Sequence, residues 1–170
     1  MPALYEMTKR FSSEFAVRPF IQRYPESSLD RLHRWVTDEN FHVRRLVSEG
    51  TRPRLPWGRR LAQFQQAPAP VIGLLDRLRD DPELYVRRSV ANNLNDIAKD
   101  NPDAMLSTLE RWAQTPGPEL PWMIRHACRS LIKDGHPRAM VLCGFSPDPV
   151  VTVAGFQLAS GTVSFGDAID

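Results

Sequence analysis

The 170-residue sequence contains only two cysteines and three lysines, and it has no apolar run long enough to span a membrane. Its longest apolar stretches, 139–143 and 150–156, fall far short of the roughly 18 to 20 residues that a membrane-spanning helix needs. The N-terminal segment has neither a continuous apolar run nor a small-residue cleavage site, so we expect no secretory signal. These absences predict a single-domain, soluble cytoplasmic protein.

The residue types that hold metals and nucleotide cofactors are scarce or wrongly spaced. Cys128 and Cys143 lack CxxC spacing, which predicts neither a disulfide framework nor a structural zinc site. The four histidines, at 33, 42, 126 and 136, match neither an i, i+4 pair nor an HExxH motif. Glycine-rich phosphate loops and nucleophile elbows are also absent from the sequence. We therefore expect no metal and no cofactor.

Charge is nearly balanced overall but unevenly distributed. The chain has 22 basic and 20 acidic residues, and 19 of the basic residues are arginine, whose planar guanidinium suits carboxylates and phosphates. The segment 41–60 contains one acid, Glu49, and six arginines, namely Arg44, Arg45, Arg52, Arg54, Arg59 and Arg60. This local cluster favours a polyanionic partner.

An approximate repeat is the strongest organisational signal. DENFHVRRLV (38–47), DPELYVRRSV (81–90) and ELPWMIRHAC (119–128) share a pattern, and FAVRPFIQRYPE (15–26) is a partial earlier copy. Val43, Val86 and Ile124 are 43 and 38 residues apart, close to the ~40 to 47 of HEAT-type helical repeats.

Apolar residues three and four apart occur before and after each phrase, as helices with one buried face require. The sequence therefore predicts an all-α fold, a HEAT-like solenoid of stacked antiparallel helix pairs over 1–146. Pro102 suits a helix start, and Gly50 and Gly135 suit helix ends. Residues 147–170, with VVTVAGFQL and GTVSFG, alternate like strands and predict a short β-like tail.

A polar stripe runs along the second helix of each pair. Residues four apart share a helix face, which groups Arg45 with Glu49 and also Arg88 with Asn92 and Asp96, while His126 aligns with Arg45 and Arg88. Glu49 and Asp96 lie on neighbouring helices about 8 to 10 Å apart, so both can reach one ligand. The alternative is that Arg45 and Glu49 form an ordinary exposed ion pair.

The segment GTRPRLPWGRR (50–60) directly follows Glu49 in the sequence. Pro53 and Pro56 interrupt helix formation, so we expect a loop that presents Arg52, Arg54, Trp57, Arg59 and Arg60. Such a loop suits a sugar-phosphate backbone, with Trp57 stacking on a base or entering a groove. Alternatively, Trp57 anchors the loop to the helices. Trp35 and Trp112 lie on apolar faces and are predicted core residues, whereas Trp122 stays undecided.

The runs HVRRLVSEGTRPRLPW, YVRRSVANNLNDIAKDNPD and RHACRSLIKDGHPRAM closely resemble the AlkC-type DNA alkylation repair glycosylases over roughly 11–146. The resemblance implies a metal-free enzyme of HEAT-like repeats that removes cationic N3-methylated bases, chiefly 3-methyladenine and also 3-methylcytosine, from double-stranded DNA without base flipping. Glu49 and Asp96 match the family's acids, and Trp57 with its arginines matches the DNA-contacting segment. Family members carry further helices before this region, which implies an N-terminally shortened domain, and some carry an immunoglobulin-like domain whose first strands resemble 147–170.

A simple site suffices for this chemistry, because a base methylated at N3 is already a cationic leaving group. The resemblance therefore assigns Asp96 to stabilising the sugar cation and orienting water, and Glu49 to contacting the lesion, with the two roles exchangeable. One alternative is a catalytically silent repeat scaffold that binds DNA, RNA or an acidic protein surface. Another is association with proteins alone. We expect a monomer.

Overall fold

The computed structural model describes residues 1–115, 117–146, 150 and 152–155. Within these residues the chain forms ten helices and no strand, which confirms the all-α prediction. They are α1 (Pro2–Thr8), α2 (Glu14–Arg23), α3 (Pro25–Trp35), α4 (Phe41–Thr51), α5 (Ala62–Gln66), α6 (Ala69–Leu78), α7 (Leu84–Ala98), α8 (Pro102–Ala113), α9 (Leu120–Lys133) and α10 (Pro137–Leu142).

The helices stack in two layers around a single apolar core. One layer runs α2, α4, α7 and α9, with α7 packed between α4 and α9, and the other contains α3, α6 and α8. Each helix buries the apolar stripe that its sequence carries, and Leu46, Leu74 and Leu94 are completely enclosed between the layers. Trp35 and Trp112 lie in this core as predicted. The second helix of each predicted pair therefore forms one continuous layer, on which the polar stripes lie.

Two of the three predicted helix boundaries are confirmed. Pro102 opens α8 after Asn101, and Gly135 follows α9 with a φ of 67°, a left-handed conformation that glycine adopts without strain. The prediction for Gly50 is wrong, because α4 continues to Thr51. A Cβ atom at Gly50 would lie 2.5 Å from Cγ1 of Val17, so this glycine allows α2 and α4 to approach closely.

Replacing Gly50 with alanine is expected to lower the free energy of unfolding by about 1 to 3 kcal/mol, because the added methyl overlaps Val17. Urea unfolding measures the change. The double variant Gly50→Ala with Val17→Ala removes the overlap and should lose less stability than the two single losses added together. Equal stability of Gly50→Ala and the parent protein would contradict the close approach.

The predicted β-like tail lies mostly outside the described residues. The structure describes only positions 150 and 152–155 within 147–170, and these are exposed. None of the helices in the described ranges combines the length and apolarity needed to cross a membrane.

Candidate functional site

Glu49 at the end of α4 and Asp96 in the last turn of α7 meet the same guanidinium group, that of Arg52. Nη1 of Arg52 donates to Oε1 of Glu49 at 2.7 Å, and Nε donates to Oδ2 of Asp96 at 2.8 Å. The exposed fractions are 6% for Glu49, 2% for Asp96 and 8% for Arg52. The two acids thus lie together, as their helical spacing predicted, but they are covered by an arginine that the sequence assigned to DNA.

The second oxygen of each carboxylate also has a partner. Oγ of Ser89 donates to Oε2 of Glu49 at 2.6 Å, and Nζ of Lys99 lies 3.2 Å from Oδ1 of Asp96. Ser89 is buried, whereas the Lys99 side chain is 44% exposed. A buried hydroxyl therefore holds Glu49, while the ammonium group of a partly exposed lysine covers the second oxygen of Asp96.

A third acid, Glu14, extends the cluster at the start of α2. Nη1 of Arg45 lies 3.4 Å from Oε2 of Glu14, and Nη2 of Arg45 lies 3.5 Å from Oε1 of Glu49. Acid and base alternate through six residues, which we call the ion-pair chain: Glu14, Arg45, Glu49, Arg52, Asp96 and Lys99. Glu14 was not predicted as a site residue, since an acid in the first turn of a helix is ordinarily explained by the helix dipole.

Burial and charge act in opposite directions on the arginine at the centre of this chain. Burial alone would lower the pKa of Arg52, but its hydrogen bond to Asp96 and the charge of Glu49 raise that pKa above its ordinary value. The guanidinium therefore stays charged. Arg52 thus balances the carboxylates of Glu49 and Asp96 and holds them in a fixed geometry, with only a small part of each exposed to solvent.

Arg18 of α2 fixes the backbone beneath this cluster. Its guanidinium is buried and donates to the carbonyls of Gly50 (3.0 Å), Arg52 (2.9 Å) and Arg59 (2.7 Å from Nε). Burial and the nearby charge of Arg52 lower the pKa of Arg18 to about 10, so it remains protonated at neutral pH. One buried side chain thus ties both ends of the 52–60 loop to α2.

The loop presents its tryptophan to solvent. Trp57 is 99% exposed and has a φ of 58°, a conformation that is strained for a bulky side chain. This exposure excludes the alternative in which Trp57 anchors the loop, a role that the buried Leu55 and Leu61 take instead. Arg59 and Arg60 are also exposed. The loop is therefore a rigid support for an outward-facing aromatic ring and two cations.

Arg54, predicted to bind DNA, makes a two-point ion pair with Asp100, with distances of 2.7 and 2.5 Å. The hydrogen bond from Arg54 holds the pKa of Asp100 below its ordinary value of 3.8. Stability from this pair is present at neutral pH and is lost as the pH falls through the lowered pKa.

Arg54→Gln is therefore expected to cost about 1 kcal/mol or less at pH 7, because solvent weakens partly exposed pairs, and a smaller amount at pH 2, below the ordinary pKa of the Asp100 carboxyl. Urea unfolding at the two pH values measures this difference, with Asp100→Asn as the matched variant. A loss that persists unchanged at pH 2 would contradict the lowered pKa.

The remaining predicted residues lie on α7 and α9. Arg88 is exposed, and Asn92 and His126 are half-buried and joined through Nε2 of His126 and Oδ1 of Asn92 at 2.9 Å. Arg45 lies over the ring of Tyr85, 5.0 Å from its centroid. In the described part of the chain, no group of three or more His, Cys, Asp or Glu side chains is placed to hold a metal ion.

Known proteins that are similar to this chain belong to one family. A model of the family described as DNA alkylation repair enzyme matches residues 11–131. YhaZ of Bacillus subtilis (strain 168) is 46% identical over 168 residues, which cover 99% of this chain and 47% of that protein. Pseudomonas fluorescens alkylpurine DNA glycosylase AlkC, bound to DNA containing an abasic site analog, is 49% identical with a TM-score of 0.80, over 84% of this chain and 40% of that one. The chain thus spans less than half the length of either relative.

Proposed function

Since the chain belongs to the DNA alkylation repair enzyme family, and within it to the AlkC type, we propose that it is a DNA glycosylase that removes cationic N3-methylated bases from double-stranded DNA. The observation that carries this proposal is the convergence of Glu49 and Asp96 on one guanidinium, beside a loop that presents Trp57 and exposed arginines. We assign 3-methyladenine as the principal substrate and 3-methylcytosine as a second.

The two carboxylates suit this chemistry because both the lesion and the sugar left by bond cleavage are cations. One negative charge about 4 Å from the developing sugar cation is worth ~4 kcal/mol at an effective dielectric constant near 20, or about a thousandfold in rate. Asp96 stabilises that cation and orients the attacking water, and Glu49 contacts the methylated base, with the roles exchangeable. The base needs no proton to leave, so strong general-acid catalysis is unnecessary.

Exchange of one cation for another explains how covered carboxylates can act on DNA. Lys99 balances the outer oxygen of Asp96 and is itself partly exposed, so its flexible side chain can move away at little cost. The damaged nucleotide, whose positive charge passes from the base to the sugar as the bond breaks, then takes the place of the ammonium group beside Asp96. A neutral base offers no such compensation, and this difference selects cationic lesions over undamaged bases.

Release of free 3-methyladenine from methylated duplex DNA tests the proposed activity. The 170-residue protein is incubated with the duplex, and the released bases are separated chromatographically and compared with those released in buffer alone. Catalysed release supports the glycosylase. Salt-sensitive DNA binding without release would favour the repeat scaffold, and the absence of DNA binding at low salt would favour association with proteins.

Trp57 is proposed to contact the duplex from the tip of the loop. Trp57→Ala should weaken DNA binding about tenfold, by loss of stacking or groove packing, while leaving the folded core unchanged. Trp57→Gly should bind equally weakly but be more stable than Trp57→Ala by about 1 kcal/mol, since glycine is unstrained at positive φ. Binding is measured by fluorescence anisotropy and stability by urea unfolding. Unchanged affinity in both variants would remove Trp57 from the interface.

A further inference from the structure

A second aromatic surface lies on α9, away from the 52–60 loop. The indole of Trp122 lies almost parallel to the imidazole of His126, with 5.1 Å between ring centroids and 14° between ring planes. Trp122 is 38% exposed, unlike the buried Trp35 and Trp112. A half-exposed ring with one supported face offers its other face to a planar ligand.

His126 is held in place by neighbouring polar groups. Oδ1 of Asn92 accepts from Nε2 of His126 at 2.9 Å and from Nη2 of Arg129 at 3.1 Å. Since both donors converge on an amide oxygen, Nε2 of His126 carries the hydrogen. Nη1 of Arg129 also donates to the carbonyl of His126 at 2.5 Å. These contacts fix the imidazole, and stacking on it fixes the indole, so little conformational entropy would be lost on binding.

The stacked pair adjoins the acidic site. On α7, Asn92 precedes Asp96 by four residues, a separation of about 6 Å along the helix axis. Burial lowers the pKa of Arg129, which is bonded to Asn92, and the charges of Asp96 and Arg52 also act on that pKa. Trp122 lies about one further turn away along α9. The indole therefore lies about two helical turns, or roughly 11 Å along the helix axes, from Asp96, close enough to meet a base near the damaged nucleotide.

The charges around the pair identify the kind of ligand. Arg88 is exposed and Arg129 is half-buried, and both lie close to His126. Burial, followed by the charges of Arg129 and Arg88, lowers the pKa of His126, so its ring is neutral at physiological pH. A flat aromatic face surrounded by arginines suits a nucleobase with its phosphates, because stacking on an aromatic ring accepts any base.

We propose that the Trp122–His126 pair is a stacking platform for a nucleobase that has lost its pairing or stacking partner at the damaged site. The proposal rests on the proposed glycosylase function, because excision leaves the opposite base without a pairing partner. Two sources share the required chemistry: the base opposite the abasic site, and a lesion-strand base next to it that has lost its stacking neighbour. Arg88 and Arg129 lie beside the platform to balance the phosphates.

The test uses duplexes that contain a stable abasic-site analog, so it requires no base excision. The fluorescent base 2-aminopurine is placed opposite the analog in one duplex and directly beside it, in the same strand, in another. At saturating protein, stacking on Trp122 should quench the fluorescence of one probe at least twofold, and Trp122→Ala should abolish that quenching. The position that responds identifies the source of the base.

Affinity provides the second measurement. Trp122→Ala should raise Kd for abasic-site DNA about tenfold, and Trp122→Phe should retain most of the affinity. On fully paired DNA without the analog, Trp122→Ala should change Kd less than threefold. Trp57→Ala is the matched control, because it should weaken binding to both duplexes and leave the quenching at saturation intact.

Quenching that is independent of Trp122 at both probe positions would overturn the platform, as would an equal loss of affinity for both duplexes in Trp122→Ala. Circular dichroism and thermal unfolding of each variant identify any loss of fold, and Trp122→Phe then supplies the decisive comparison. Failure of the glycosylase proposal has a different signature, because a protein that releases no 3-methyladenine can still show Trp122-dependent quenching on abasic-site DNA.

Discussion

Asp96→Asn is expected to lower the rate of 3-methyladenine release about a thousandfold, because one charge close to the sugar cation contributes ~4 kcal/mol. The substitution keeps the shape of a side chain that is 2% exposed, removes its charge and replaces one acceptor oxygen by an amide donor. Glu49→Gln should cause a similar or smaller loss, since its carboxylate is assigned to the base. Single-turnover kinetics with methylated duplex DNA measures both rates.

Ser107→Ala is the matched control for the two acid variants, because Ser107 is exposed on α8 outside the ion-pair chain. Its rate of release should equal that of the parent protein. Asp96→Asn and Glu49→Gln should bind abasic-site DNA within about threefold of the parent, since phosphate contacts supply most of the affinity. Full activity in both acid variants would refute the assignment of these residues, even if the protein proved to be a glycosylase.

Arg52→Met is expected to lower the free energy of unfolding by about 3 to 5 kcal/mol, because it leaves two buried carboxylates without their shared partner. For a chain of this length, such a loss corresponds to roughly 10 °C in Tm. Activity should fall with it, since repulsion separates Glu49 from Asp96. Arg52→Lys keeps the charge but cannot bond both acids in the same geometry. Its free energy of unfolding should therefore lie between those of the parent protein and Arg52→Met.

The acid variants provide the control for this prediction. In a protein that carries both Glu49→Gln and Asp96→Asn, Arg52→Met should cost less stability by at least 2 kcal/mol, because no buried negative charge is left unpaired. Thermal and urea unfolding of the four proteins complete the cycle. An equal cost of Arg52→Met in both backgrounds would show that the arginine contributes packing alone, and it would remove the electrostatic basis of the site.

The helical architecture could be predicted because it depends on local information. Apolar residues three and four apart define a helix and its buried face, and a period near 40 residues defines helix pairs that must stack to cover those faces. The same periodicity placed Glu49 and Asp96 on one side of neighbouring helices. The spacing of residues along two stacked helices is thus sufficient to predict that these two acids lie close together.

Other features depend on contacts between distant parts of the chain. The guanidinium of Arg52 has several rotamers, and only the packing of α4 against α7 directs it to Asp96, 44 residues away. Arg54 is similarly occupied by Asp100, although both arginines look available for phosphate in the sequence. Gly50 illustrates the same limit, since a helix-ending glycine and one that admits Val17 are identical in the sequence.

The sequence by itself determined the helix pairs, their order and the face that carries the acids, because hydrophobic periodicity is a property of neighbouring residues. Only the tertiary structure decided which cation balances each acid, that Glu14 joins them, and that Trp57 and Trp122 are exposed. The physical reason is that long side chains adopt whichever rotamer packing and charge favour in the folded state, and those partners come from helices far apart in the chain.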